Sequence, residues 1–319
     1  MSDLKKLLGY REPIINASMA GAAGGRLAAA VSSAGGVGMI GCPAAPGRGW
    51  IQEQARDVAE LDTPWGAGFM GWALEADLSA LKAFLEYRPA LVAISFGNPG
   101  PGAELAHEAG ALVAMQAGNA ADLDRAMEDD IDIIIARGGE GGGHGRNEAG
   151  TLPLLQLAVA ASEKPVIAAG GIGTARGVAA VLAAGAQAAW VGTRFLAARE
   201  AAGHAKTKQA VLGSGLDDTV YTRAFDIAQQ LPWAPEFGGR ALANDFSNRY
   251  AGRLEDLEPS EQLRQRMLAA RAEADVSTAP VYAGQAVQFV QEQETAAQIM
   301  AGLAGFRQIL AAAASKFSS

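Results

Sequence analysis

Apolar positions along this chain fall in short runs with little alternation. One local arrangement recurs. An alanine-rich, helix-like stretch ends in glycine, and a short apolar run follows at once. Ala34-Gly35-Gly36 precedes Val37-Gly38-Met39-Ile40, Ala109-Gly110-Ala111 precedes Leu112-Val113-Ala114-Met115, and Ala184-Gly185-Ala186 precedes Ala188-Ala189-Trp190-Val191. Glycine just past a helix end takes the left-handed conformation that closes the last turn. The apolar run behind it suits a parallel strand buried on both faces.

Followed along the chain, this rhythm predicts eight strands before residue 200: Ile14–Ala17, Val37–Ile40, Trp65–Met70, Leu91–Ser95, Leu112–Gln116, Ile131–Ala136, Pro165–Ala169 and Ala188–Val191. Helical segments are expected between them at Arg26–Ala34, Gln52–Leu61, Leu78–Glu86, Ala103–Ala109, Ala120–Glu128, Leu154–Ala161 and Arg176–Ala184. Strict βα alternation predicts a parallel sheet, and eight units predict a closed (β/α)8 TIM barrel. An open doubly wound sheet is the rival, for which eight strands would be long.

After residue 200 the rhythm stops and aromatics and prolines gather. The expected division is a barrel over 1–210 plus 281–319. A smaller, mainly helical second domain over 211–280 is inserted before the C-terminal helix. Glu261–Asp275 and Thr295–Ala314 read as helices.

Barrels place their chemistry at the carboxyl ends of the strands. Three such ends are distinctive here. Ala169-Gly170-Gly171-Ile172 after the seventh strand and Gly192-Thr193-Arg194 after the eighth expose main-chain N–H groups beside helix N-termini, which suits a phosphate. The alternative is that these glycines only make tight turns. Arg137-Gly138-Gly139-Glu140-Gly141-Gly142-Gly143-His144-Gly145-Arg146 follows the sixth strand. Its glycines either leave the loop floppy or let something flat lie on the backbone. His144 within it is either a general base or an idle surface histidine. Asn16-Ala17-Ser18-Met19-Ala20-Gly21 ends the first strand with small residues and a methionine that suit the edge of a planar ligand, a weak sign on its own.

Composition narrows the choice. The net charge of −8 over 319 residues disfavours nucleic acid and anionic membrane surfaces. The single cysteine, Cys42, rules out a disulfide framework, and packing is its expected role. No cysteine pair or histidine cluster offers a metal site. His107 and His204 fall on predicted helices and are expected at the surface. No signal peptide or membrane span is read, so a cytoplasmic location is expected.

Together these segments resemble the nitronate monooxygenase family, once called 2-nitropropane dioxygenases. The shared pieces are Ala17-Ser18-Met19-Ala20-Gly21, Ala34-Gly35-Gly36-Val37-Gly38, Glu140-Gly141-Gly142-Gly143-His144-Gly145, Ala169-Gly170-Gly171-Ile172 and Gly192-Thr193-Arg194-Phe195. Ser95-Phe96-Gly97-Asn98-Pro99 and the run from Asp218 to Asp226 resemble one branch of it. Flavin-dependent enoyl-acyl-carrier-protein reductases share the same set.

The resemblance implies a barrel that binds FMN, with the phosphate on Gly170, Gly171, Gly192 and Thr193. The flavin would lie near Ala17, Met19 and Gly142, with Gln116 and Arg137 also on the cofactor. His144 falls on the family's catalytic histidine. The implied reaction oxidises alkyl nitronates or nitroalkanes with O2 to a carbonyl compound and nitrite. The alternatives are a flavin enoyl reductase using NAD(P)H and an FMN-binding protein without catalysis. A small-molecule substrate and O2 are the expected partners, and a homodimer is left open.

Four positions depart from the family's usual pattern. Ser18 stands in place of proline, Gly68 of asparagine, Arg137 of glutamine and Gly141 of alanine. Two readings of Arg137 stand side by side: a fixed cation at the flavin's pyrimidine edge, raising its potential, or an arginine turned to solvent. The second domain, with Tyr221, Phe225, Trp233 and Phe237, is expected to close over the flavin, although these aromatics equally suit a small core.

Overall fold

A computed structural model describes residues 3–317. Eight parallel strands form one sheet: β1 (Ile14–Asn16), β2 (Gly38–Gly41), β3 (Trp65–Met70), β4 (Leu91–Ser95), β5 (Leu112–Ala117), β6 (Ile133–Arg137), β8 (Val166–Ala169) and β9 (Ala188–Val191). The short strand β7 (Gly143–His144) belongs to a second sheet. Nearly every residue of the eight strands is buried, as the short apolar runs required. Helices fall between the strands, so the chain is a (β/α)8 barrel. The strands lie within a few residues of the expected spans. Gly35, Gly110 and Gly185, which end the three recurrent helices, have φ of +99°, +81° and +103°.

Closure combines one backbone bridge with one buried amide. Between β1 and β2 the backbone ladder thins to the single bridge Ile15–Val37. Asn16 fills the gap. Its Nδ2 donates to the Met39 carbonyl at 2.9 Å and its Oδ1 accepts from the Met39 N–H at 2.9 Å. A fully buried asparagine side chain thus does the work of missing ladder bonds, which satisfies its own polar atoms.

Two features differ from the sequence expectation. A helix at Gly71–Ala76 precedes the expected one, which spans Ser79–Leu85. The expected helix over Thr295–Ala314 is two, Ala296–Leu303 and Phe306–Phe317, parted at Ala304-Gly305. By composition the stretch 296–317 is long and apolar enough to cross a membrane. Here Ile299, Met300, Leu303 and Phe306 from it are buried in the barrel's outer core.

The region after residue 204 carries helices at Ala205–Leu212, Ala224–Gln229, Asp245–Tyr250 and Glu261–Ala272, and the antiparallel strands β10 (Thr219–Thr222) and β11 (Gly239–Leu242). It has a small core of its own around Phe225, Phe246 and Met267. It is not detached from the barrel. Strand β7, which is part of the loop after β6, pairs with β11, so that Gly239 faces His144 and Arg240 faces Gly143.

Candidate active site

The C-terminal ends of the barrel strands carry half-buried small residues above a fully buried wall. Ala17, Met19, Gln116, Gly142, Gly170 and Gly192 all retain partial exposure there. Gly170 and Gly171 both have left-handed backbones, φ +103° and +68°, and Gly171 is exposed. A Cβ on Gly170 would meet Thr151 Oγ1 at 2.7 Å, and one on Gly192 would come 3.3 Å from Ala17 Cβ. Behind Gly171 the helix Ala175–Ala183 begins, capped by the Thr174 side chain. Thr193 is buried, and its Oγ1 accepts from the Gly284 N–H at 2.9 Å, leaving its hydroxyl proton to donate. This shape fits a phosphate group: two glycine loops, a helix N-terminus and one hydroxyl.

The glycine loop after β6 is held on every side. Arg240 Nε donates to the Gly139 carbonyl at 2.8 Å. Tyr221 Oη donates to the Gly145 carbonyl and accepts from the Gly238 N–H, each at 2.9 Å. Gly142 packs so tightly on Ala283-Gly284 that a Cβ there would lie 2.4 Å from the Gly284 nitrogen. Glu140, the carboxylate of this loop, lies beside Gly171 and is taken up by a helix N-terminus. Its oxygens accept from the Thr151 N–H at 3.0 Å and from Thr151 Oγ1 at 2.8 Å, so it caps the helix Thr151–Ala161.

His144 is not an idle surface residue. Its side chain is 10% exposed and its Nε2 lies 2.8 Å from Asp226 Oδ1. Asp226, 3% exposed in the helix Ala224–Gln229, also accepts from the Tyr282 hydroxyl at 3.4 Å. A carboxylate only accepts, so Nε2–H is the donor of this pair. Burial, reinforced by the negative charge of Asp226, pushes the Tyr282 phenol far above its ordinary range, so it remains a donor. The second carboxylate oxygen of Asp226 is buried without a partner. The indole of Trp233 lies flat against the imidazole, with centroids 3.7 Å apart and planes 6° apart.

Trp233 joins an aromatic wall with Trp72 and Phe96, at 5.5 and 5.1 Å between centroids. Phe96 adopts a left-handed backbone, φ +67°, an uncommon state for a bulky residue that aims its ring at this wall. Phe237 stacks edge-on to Phe96, and Arg146 lies 5.1 Å over its ring. Of the four aromatics expected to cover the mouth, Tyr221, Trp233 and Phe237 lie around the His144 loop, whereas Phe225 is buried in the small core. A cavity of about 20 Å³ beneath the wall is lined by Phe96, Met115, Gln116, Arg137, Arg146 and Phe237. A larger hollow of about 320 Å³ lies at the opposite end of the barrel, between Tyr10, Pro13, Gln187 and Phe306, away from the residues described above.

Arg137 is 4% exposed, which excludes the reading of an arginine turned to solvent. Burial lowers its pKa to about 10. Two pairs of the departures noted in the sequence fit one another. A Cβ on Gly141 would lie 2.8 Å from Arg137 Nε, and a Cβ on Gly68 would lie 2.1 Å from Ser18 Oγ.

The remaining candidates are structural. His107 is partly buried rather than free at the surface, with Nε2 2.9 Å from Asp132 Oδ2. His204 sits ahead of the helix Ala205–Leu212 as its N-cap, not within it. Cys42 is buried, and burial pushes its thiol up to about 12, so packing is its role. Asp226 and Tyr282 escaped the sequence reading as functional groups. They lie far from His144 along the chain, and only the conjunction of the second sheet with the loop after β6 brings them to it.

Residues 65–305 match the family described as nitronate monooxygenase. The nitronate monooxygenase of Paraburkholderia phytofirmans is 32% identical over 291 residues, covering 76% of this chain and 77% of that protein. A (3aS,4S,5R,7aS)-5-hydroxy-7a-methyl-1-oxo-octahydro-1H-indene-4-carboxyl-CoA dehydrogenase of Mycobacterium tuberculosis is 33% identical over 264 residues, covering 78% of this chain and 72% of that one. Among solved structures, FabK from Thermotoga maritima superposes with a TM-score of 0.84 at 27% identity, covering 99% of both chains. Nitroalkane oxidase from Streptomyces ansochromogenes superposes with a TM-score of 0.81 at 26% identity, covering 98% of this chain and 100% of that one. The match over most of the barrel and all of the His144 region makes this chain a member of the nitronate monooxygenase family.

Proposed function

We propose that this protein is an FMN-dependent oxidoreductase that oxidises nitroalkanes and their nitronates with O2, with His144 as the base. Family membership supports a flavin oxidoreductase of this type. The observation that carries the finer reading is the His144–Asp226 pair at 2.8 Å at the mouth of the barrel.

The residues divide the work as follows. A nitroalkane bears an acidic proton on the carbon next to nitrogen. His144 Nδ1 takes that proton, and the carbon's electron pair delocalises onto the nitro oxygens as a nitronate. Asp226 Oδ1 holds Nε2–H throughout, so the ring cannot flip to its other tautomer and the imidazolium that forms is stabilised. Tyr282, kept protonated, donates to the same carboxylate oxygen and fixes its rotamer. Trp233 covers one imidazole face and excludes water from it. Gly170, Gly171, Gly192 and Thr193 would hold the phosphate, and Ala17, Met19 and Gly142 would leave room for the ring. Gln116 and Arg137 would supply the polar groups toward the cofactor. Bound there, the flavin supplies the one-electron and oxygen chemistry that no side chain of the site provides. The products are a carbonyl compound and nitrite.

The test is anaerobic mixing of FMN-loaded protein with a nitronate and, separately, with NADPH, followed by flavin absorbance. Bleaching by the nitronate alone supports the proposal. The likeness to FabK favours one second reading, a reductase, and reduction by NADPH alone would establish it. A spectrum unmoved by either donor would point to a binding protein, and a preparation that takes up no FMN would remove the cofactor assignment. His144→Ala should lower kcat on neutral nitroalkane by ~10²- to 10⁴-fold and leave preformed nitronate much less affected, because only the former needs the base.

A further inference from the structure

Arg137 ends β6 and is almost wholly buried, yet its hydrogen-bond partners are main-chain carbonyls and no carboxylate. Nη1 donates to the Arg146 carbonyl at 2.8 Å. Nη2 donates to those of Gly141, Gly142 and Gly143 at 2.6, 3.2 and 3.3 Å. These acceptors lie on both sides of His144. The loop is shaped around the guanidinium. A Cβ on Gly145 would come 2.5 Å from Nη1, and one on Gly141 would come 2.8 Å from Nε.

The physics of this arrangement is asymmetric. A buried cation without a counter-ion is destabilising unless its N–H groups are satisfied. A loop with glycine at 141, 142, 143 and 145 has unusual backbone freedom and loses much of it on ordering. Each difficulty answers the other. The carbonyl dipoles solvate the charge, and charge-assisted bonds, roughly twice as strong as neutral ones, collect the loop. Tyr221 and Arg240 fasten the loop at Gly145 and Gly139. Strand β7 pairs Gly143 and His144 with β11, and Arg137 gathers the carbonyls of Gly141, Gly142 and Gly143 from the other side.

We propose that Arg137 is the positioning residue of the His144 loop: it holds the carbonyls on either side of His144 and so aims the imidazole at Asp226 before any ligand arrives. The proposal deepens the assignment of His144 as the base and rests on it.

The experiment is amide hydrogen exchange, with and without FMN, on the full chain and on Arg137→Gln, Arg137→Lys and Gly141→Ala, together with the imidazole 15N shifts of His144. In Arg137→Gln, exchange over 141–146 should quicken by ~10-fold or more while the barrel strands stay unchanged. The 15N shifts should move from one tautomer to an average of two. Arg137→Lys keeps the charge without the planar fork and should recover part of both effects. Gly141→Ala, which presses on Nε without removing the cation, should loosen the same segment, and it serves if Arg137→Gln does not fold. Unchanged exchange and shifts in the folded variants would overturn the proposal. So would a shifted flavin midpoint potential in Arg137→Gln with the loop undisturbed, because Arg137 would then act on the ring and not on the loop. Unaltered kcat in His144→Ala would remove the base assignment and leave the exchange result standing, so the two failures are distinguishable.

Discussion

The Ser18 side chain occupies the space that any side chain at position 68 would need: a Cβ on Gly68 would lie 2.1 Å from Ser18 Oγ and 2.3 Å from Ser18 Cβ. Ser18 follows β1 and Gly68 lies within β3, and the two form one packing unit. Gly68→Ala should therefore destabilise the protein by ~1–3 kcal/mol, an overpacking effect. Ser18→Gly in the same chain should recover most of that loss. Thermal unfolding of the single and double variants measures the coupling, and strict additivity would contradict it.

Asp226 should act on catalysis through His144. Asp226→Asn offers an amide that can donate to Nε2, which places the proton on Nδ1 and removes the lone pair needed by the substrate. We expect kcat on neutral nitroalkane to fall by ~10²-fold or more, with a smaller effect on preformed nitronate. Asp226→Glu, which retains the acceptor, should be the milder variant. Equal losses on both substrate forms would argue for a folding defect instead.

Trp233 should bind more than it catalyses. Its flat contact with His144 is worth about 0.5–1.5 kcal/mol beyond simple burial. Trp233→Ala should raise KM several-fold and quicken solvent access to His144, whereas Trp233→Phe should be close to the parent. Indole fluorescence in the parent protein should respond to protonation of the stacked imidazole.

Alkali should weaken the fold through Cys42 and Tyr10. Burial raises the Cys42 thiol to about 12, and burial with the charge of Asp3 raises the Tyr10 phenol to about 12. The folded state then keeps protons that the unfolded chain releases above its ordinary thiol and phenol values. Stability from these groups is complete below about pH 9 and declines as pH rises toward 12, at up to about 1.4 kcal/mol per pH unit for each group. Cys42→Ala should flatten this decline. The native thiol should resist a disulfide reagent at pH 8, and rapid labelling there would contradict the burial argument.

How far the sequence reached depended on whether a feature was local. Helix-closing glycines and short apolar runs are local, and they placed all eight barrel strands within a few residues. The glycine loops at the barrel mouth were legible for the same reason, since the absence of side chains at 170, 171 and 192 is written in the residues themselves. The break at Ala304-Gly305 was less visible, because alanine and glycine there continue an apolar stretch, while the first helix packs chiefly on Gly25–Ser33 and the second on Ala175–Ala183.

The chain's order of residues by itself determined a closed parallel barrel, glycine loops at its mouth and a histidine within one of them. Tertiary structure alone decided what that histidine meets. Asp226, Trp233 and Tyr282 reach His144 only because β11 pairs with the loop after β6, a contact between segments almost a hundred residues apart. No periodicity records such a pairing. The same holds for Arg137, whose type is readable but whose direction is not. Its guanidinium turns inward because the carbonyls of a glycine loop surround it there, and that geometry exists only once the loop has folded over the barrel.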